Sequence, residues 1–235
     1  MDRRYSDLTF LEHLEELRFR IIKVIVAVTV CACLVYFFIE PILAFITRPV
    51  GKLIFTSPEE AFLARMTLTI FGGFFLALPV ILSQFWQFVA RGLLEHERRY
   101  VRIFGPLSLV CFLSGLLFGY FVVVPMSLYF LLGFKTAQMV PMITVDKYIS
   151  FVGTLVLAGG VIFELPLVII FLAKLGIASP EFLRQKRRYA IVIILIISAV
   201  ITPPDVVSQL LMAAPLLILY EAGIWGAEFA SRSKK

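Results

Sequence analysis

An all-α polytopic membrane protein is predicted, with six transmembrane helices, short fifth and sixth helices, and both termini in the cytoplasm. Three features of the 235-residue sequence predict it. First, 60% of residues are apolar and only 16% charged, with mean hydropathy +0.96; soluble domains carry about 45–50% apolar and about 25% charged residues. Second, the apolar residues are gathered into blocks of the length that a hydrocarbon core of about 30 Å demands. Third, 21 of the 22 Lys and Arg residues sit between the blocks and are divided unequally between the two sides. This composition excludes a soluble or disordered chain, and the placement of its basic residues reads as topology rather than as a nucleic-acid footprint.

Residues 1–20 read as a cytoplasmic amphipathic helix: Phe10, Leu14, Leu17 and Ile21 recur at helical spacing, and Thr9 with Glu12 fits a capping box. Ile21 to Ile39 is apolar except for Lys23, Met66 to Ala90 and Ile103 to Phe134 carry no charge, and Tyr148 to Ala173 carries only Glu164. Buried backbone must bond internally in lipid, and runs this long mean helices rather than barrel strands. Spans are therefore expected near 21–39, 66–90, 104–132 and 149–173.

The last apolar block, Tyr189 to Tyr220, is too long for one crossing and is interrupted by Thr202-Pro203-Pro204-Asp205. Proline cannot continue a helix, and it pushes the residue before it toward extended backbone. Two short helices follow, near 189–201 and 207–221, each reaching only about 21 Å at about 1.5 Å per residue. Outer loops are expected near 40–65, 133–148 and 202–206, the two longer ones folded over the outer face. Residues 1–235 form one integral membrane domain in this reading. Six crossings put 16 Lys and Arg residues on the side of the termini and 5 on the other, so positive-inside places both termini in the cytoplasm.

The chain shows no cleavable signal peptide: its first apolar run begins near residue 21, is too long for an h-region and lacks a small-residue cleavage site. Cys31, Cys33 and Cys111 have neither CxxC nor histidine spacing, so no metal or other cofactor is expected. The sequence has no HExxH and no P-loop. Ser114-Gly115 lacks the preceding glycine of intramembrane serine proteases, and His13 and His96 lie outside the spans, so no buried general base is on offer. Enzyme readings therefore mostly fail.

The informative residues are charged ones next to, or inside, the apolar blocks. Glu12, Glu15 and Glu16 crowd one face of the first helix; like charges one turn apart repel, so that face wants a cation. The competing possibility is local pairing of Glu15 with Arg18 and of Glu16 with Arg20. In the first inner loop, Glu95 has Arg98 and Arg99 at i+3 and i+4, whereas Glu97 has no cation on its own face and is open to an outside partner. Glu164 sits near the middle of the fourth span with Gly160, Val161, Leu167 and Val168 at neighbouring helical positions. A carboxylate there is costly and marks a cavity or a partner. Asp205 suits the N-cap of the sixth helix, and with Gln209 lies at the outer tip of the short hairpin. An ion-coupled transporter with Glu164 as its site is the alternative, motivated by that carboxylate and by the broken helices; the absence of an internal repeat weighs against it.

Several motifs together resemble the TatC family, the signal-peptide receptor of the twin-arginine translocase. They are His13-Leu14-x-Glu16-Leu17-Arg18-x-Arg20, Arg48-Pro49, Phe85-Trp86-x-Phe88 followed by Glu95-His96-Glu97-Arg98-Arg99, Phe163-Glu164-Leu165-Pro166, and Thr202-Pro203-Pro204-Asp205-Val206-x-Ser208-Gln209. Arg91 departs from the pattern, since the family often has proline there. The resemblance implies export of folded proteins across the cytoplasmic membrane at the expense of the proton-motive force. It implies that Glu16 and Glu97 receive the two arginines of a signal peptide, with Phe88, Arg18 and Arg99 contributing. It implies that Glu164 and Gln209 meet single-span TatA and TatB partners, and that Pro49 and Asp205 are structural residues of the outer face. The implied partners are those subunits, twin-arginine signal peptides, further copies of the chain and membrane lipid, and no nucleic acid.

Overall fold

The computed structural model describes residues 10–134, 136, 141–202 and 205–232. Arg3, Arg4, Thr9, Lys135, Pro203, Pro204, Lys234 and Lys235, invoked above for loop charge, capping and the hairpin break, lie outside the described residues. The described chain is helical: α1 Phe10–Phe37, α2 Ile39–Thr47, α3 Pro58–Arg91, α4 Arg98–Phe118, a π-helical turn Gly119–Val123, α5 Val124–Leu132, α6 Val145–Phe163, α7 Leu165–Lys174, α8 Pro180–Gln185, α9 Arg187–Ile201 and α10 Val206–Arg232.

The breaks follow from proline and capping chemistry. Pro41 has no N–H to offer the carbonyl of Phe37, and α1 gives way to α2 there. Pro125 likewise leaves a carbonyl unbonded in the third span, and the π turn absorbs the lost register, with the Val124 N–H bonding the Gly119 carbonyl. Glu164-Leu165-Pro166 divides the fourth span into α6 and α7. After α7 the chain turns through Gly176 at φ +75°. The Gly176 and Ile177 N–H groups bond the carbonyls of Ala173 (3.1 Å) and Leu172 (3.0 Å), a Schellman closure that favours glycine at the left-handed position. Ser179 then caps α8, its Oγ accepting the Phe182 N–H at 3.1 Å, with Pro180 as first helical residue.

The chain divides into two compact units. The first comprises the described residues up to Leu43 together with Arg65–Leu109. In it α1 lies against α3, with Val35 over Gly72, and Arg65 pairs with Glu40 at 2.6 Å. Trp86 is buried against Phe85 and Phe104, with ring centroids 5.6 and 5.9 Å away.

The second comprises Ala44–Ala64 and the chain from Val110 onward. Its two long connections are tied to each other and to the helices. The Ile54 N–H bonds the Ile143 carbonyl (3.1 Å) and the Val145 N–H bonds the Ile54 carbonyl (2.9 Å). The hydroxyls of Tyr120 and Tyr148 donate to the carbonyls of Phe45 (3.0 Å) and Ile46 (2.8 Å). Where the third and fourth spans cross, Gly115 and Gly159 bring two backbones together: a Cβ added to Gly159 would lie 2.5 Å from the Gly115 carbonyl oxygen. Small residues at a helix crossing give the van der Waals contact that drives association in lipid.

Two boundaries differ from the sequence expectation. The helix expected over 207–221 runs on to Arg232, 27 residues in all, so the sixth helix is not short. Glu221 and Glu228 end the apolar run in a hydropathy reading, but Arg187 holds the first at 2.6 Å and Arg184 pairs with the second. The neutralised carboxylates let the helix continue along Ala222–Ala230. The stretch 40–65, expected as an outer loop, is also more helical than a loop, holding α2 and the first turns of α3. Thr56 fixes the latter start: its N–H and hydroxyl bond the two Glu60 carboxylate oxygens at 2.7 and 2.9 Å. Among the described residues five helical stretches are long and apolar enough to cross a bilayer: Leu14–Phe37, Pro58–Arg91, Arg98–Leu132, Val145–Lys174 and Val206–Ala230. By contrast α9 has 15 residues and extends about 22 Å.

Replacing Gly159 by valine is expected to force the α4–α6 crossing apart and to cost about 1–3 kcal/mol. Thermal unfolding in detergent measures it, with Gly92→Ala, whose added Cβ would meet nothing closer than 3.6 Å, as an unaffected control.

Candidate functional site: a buried carboxylate at the Arg91 end of α3

The site in the first unit is built on α1. Helical spacing carries Glu16 and Arg20 onto one face, and both are buried. Arg20 donates to Glu16 Oε1 through Nε at 2.7 Å and also through Nη2. Its remaining terminal nitrogen, Nη1, reaches the side-chain oxygens of Gln84 and Gln87, each at 3.3 Å, on the last turns of α3. The other carboxylate oxygen of Glu16, Oε2, receives Arg91 Nη1 at 2.6 Å. Glu16 thus lies between two guanidinium groups with 8% of its side chain exposed. A carboxylate so far out of water requires that charge pairing and those hydrogen bonds.

Glu97 lies six residues beyond Arg91, in the turn that precedes α4. A six-residue connection spans at most about 20 Å. Its Oε2 accepts the Leu94 N–H at 3.2 Å, and its Oε1 lies 3.9 Å from His96 Nε2. Among the described residues no lysine or arginine pairs with it. The two carboxylates therefore differ: Glu16 is saturated, whereas Glu97 is held by a neutral amide and flanked by an exposed imidazole. Phe88 is half-buried on the last turn but one of α3, and Arg18 and Arg99 are exposed. The Arg99 guanidinium lies 5.4 Å from the Tyr100 ring centre.

The other predicted residues belong to the second unit. Glu164 is half-buried where α6 passes into α7, its N–H bonding the Val161 carbonyl (3.2 Å) and its own carbonyl accepting the Val168 N–H (2.9 Å). Gln209 is tied to α9, donating from Nε2 to the Leu195 carbonyl at 3.1 Å. Asp205 caps α10, with Oδ1 accepting the Ser208 N–H at 2.6 Å. Pro49 is exposed in the turn that ends α2, beside Arg48, whose guanidinium stands 5.4 Å from the Phe45 ring centre.

Gln84, Gln87, Arg91 and the bridging role of Arg20 were not among the predicted site residues. The sequence carried a trace of them: two glutamines one turn apart at the end of an otherwise uncharged span, and Glu16 four residues before Arg20.

Known proteins share this arrangement of helices. The family model described as Sec-independent protein translocase protein (TatC) matches residues 12–215. The chain belongs to the TatC family. The TatC of Carboxydothermus hydrogenoformans is 43% identical over 227 residues, covering 94% of this chain and 93% of that protein. The TatC of Aquifex aeolicus is 42% identical over 235 residues, covering 95% and 96%. A crystal structure of the twin-arginine translocase receptor TatC superimposes with a TM-score of 0.83 at 40% identity, covering 94% of this chain and all of that one. The same receptor crystallised in DDM gives 0.82 at 41% identity, covering 91% and 98%. A TatC-family chain is a membrane component of protein translocation, and the apolar helices described above agree with that.

Loss of Arg20 is expected to be far more damaging than loss of Arg91. Arg20→Met strips a buried carboxylate of its bidentate partner, a loss of about 3–5 kcal/mol. Arg91, half-exposed, leaves Arg20 in place when removed and costs about 1 kcal/mol or less. Thermal shift of the two purified variants compares them.

Proposed function

We propose that this TatC-family chain is the receptor for twin-arginine signal peptides and the scaffold on which a translocase for folded proteins assembles. Glu16 and Glu97 receive the adjacent arginines. The observation that carries this reading is the buried Glu16, fixed by Arg20 and reached by Arg91, the last residue of α3, which stands six positions before Glu97. A guanidinium is always charged and offers a rigid planar fork of donors that a carboxylate accepts in pairs, and charge-assisted bonds of this kind are about twice as strong as neutral ones. Lysine supplies the charge without the fork. Phe88, near the end of α3, offers an apolar surface beside the arginines, and Arg18 and Arg99 would turn away basic residues elsewhere in the signal.

The loop charges support six crossings of the cytoplasmic membrane, with both termini and this site on the cytoplasmic side, α9 and α10 being the fifth and sixth crossings. Residues 1–235 then act as a single membrane domain. In the fourth crossing, Glu164 is the polar group that single-span TatA- and TatB-type subunits would meet. A polar partner there relieves the cost of a carboxylate in lipid. Gln209, engaged with α9, contributes by holding the short hairpin in place, and copies of the chain assemble around the same subunits. No cofactor or catalytic residue enters this scheme.

Photocrosslinking from positions 16 and 97 to a signal peptide is expected to be strong with Arg-Arg and weak with Lys-Lys. Glu97→Gln is expected to weaken peptide binding by at least about tenfold; undiminished binding in both Glu16→Gln and Glu97→Gln would sink the assignment. Glu164→Ala is expected to reduce crosslinking to a TatA-type subunit while peptide affinity stays within about twofold. Unchanged subunit crosslinking would remove Glu164 from that role.

A further inference from the structure

The partners of Glu16 are not equivalent. Arg20 is a fixture: its side chain is 10% exposed, it grips Oε1 through two nitrogens, and its third is engaged by Gln84 and Gln87. Arg91 is placed differently. It is the last residue of α3, its side chain is 55% exposed, and it holds Oε2 through a single nitrogen at 2.6 Å. Among the described residues Glu16 is its only ion-pair partner. The oxygen that Arg20 leaves open is thus covered from the solvent side by a guanidinium belonging to the chain itself.

We propose that Arg91 is a built-in occupant of the receptor, a stand-in for one signal arginine that leaves Glu16 when a signal arrives. The proposal rests on the reading that Glu16 receives a signal arginine. Three guanidinium groups around one carboxylate would place two positive charges in excess, so an incoming arginine exchanges with the exposed, singly bonded Arg91 and not with the buried, doubly bonded Arg20. The exchange replaces one N⁺–H···O⁻ contact by another, and Arg20 stays on Oε1 throughout. The receptor therefore binds with an affinity scaled down by the fraction of time that Arg91 is away from Oε2. Since that fraction is a property of the empty receptor, it lowers affinity for every ligand of Glu16 by one common factor. Arg91 sets how tightly signals are held, and leaves the preference of arginine over lysine to the carboxylates.

The test uses the full chain in detergent and a fluorescent signal peptide carrying Arg-Arg or Lys-Lys, with dissociation constants measured for the parent protein, Arg91→Ala, Arg91→Gln, Glu16→Gln and the double variant Arg91→Ala with Glu16→Gln. Arg91→Ala and Arg91→Gln are expected to tighten the Arg-Arg peptide roughly two- to fivefold, the size of a half-exposed ion pair. They are expected to tighten the Lys-Lys peptide by the same factor. Combined with Glu16→Gln, the Arg91 change should have no effect, because the contact it relieves is already gone. Unchanged or weakened binding in both Arg91 variants overturns the proposal, as does a tightening that persists without the Glu16 carboxylate. The underlying reading fails by a different result: Glu16→Gln that binds the Arg-Arg peptide as well as the parent does.

Discussion

The burial of the Glu16 carboxylate between Arg20 and Arg91 constrains everything around it. An anion taken this far from water must be compensated on the spot, and the compensation recruits two helices. Arg20 comes from the same face of α1, while Arg91, Gln84 and Gln87 come from the end of α3. The ion pair therefore fixes the first helix against the end of the second span, and it fixes the carboxylate at a defined place at the edge of the apolar region. A receptor for a charged dipeptide needs an anion that does not wander, and the neighbouring turn with Glu97 supplies a second carboxylate with looser commitments. One anion is positioned by many bonds and the other by few. In the proposed receptor the first would give geometry, and the second an opening for a ligand.

The second unit handles polar groups in the same spirit. Glu221 and Glu228 would break an apolar helix, but each is matched by an arginine from the α8–α9 region, and α10 continues past both. Asp205 and Ser179 are spent on helix starts. Gln209 bonds a carbonyl of α9 and so joins the two helices of the hairpin. Glu164 stands apart because it lies where Pro166 interrupts the fourth span, a position at which helix geometry is already disturbed and where a polar side chain can be accommodated. These choices follow from one rule: in an apolar surrounding, polar atoms are placed where a backbone end or an opposite charge awaits them.

Much of the fold was legible from the sequence because its causes are local. Apolar length, proline position and the basic loops gave the first four spans, the interruption near 202–205 and the start of the ninth helix. The end of the last helix was not legible, since whether Glu221 and Glu228 stop a helix depends on Arg187 and Arg184, 34 and 44 residues away respectively. The helical content of 40–65 was missed for a similar reason: Thr56 and Glu60 form a start signal that a hydropathy scan does not weigh. At the site, the pairing of Glu16 with Arg20 could be read from their spacing, and Glu97 from its lack of a cation on its own face. The contact of Arg91 with Glu16 joins residues 75 positions apart and needed the packing of α1 on α3. A residue that stood out only as a departure from the family pattern thus turns out to touch the central carboxylate.

The seam between Gly115 and Gly159 has a mechanical meaning. Two helices whose main chains touch have no side chains between them to slide or rotate, so this joint has no soft direction in which to yield. If the second unit changes shape while at work, the give must come from elsewhere in it. The interrupted fourth span at Pro166 is the natural pivot, with the glycine crossing, which also takes in Gly119 of the π turn, as the fixed bearing.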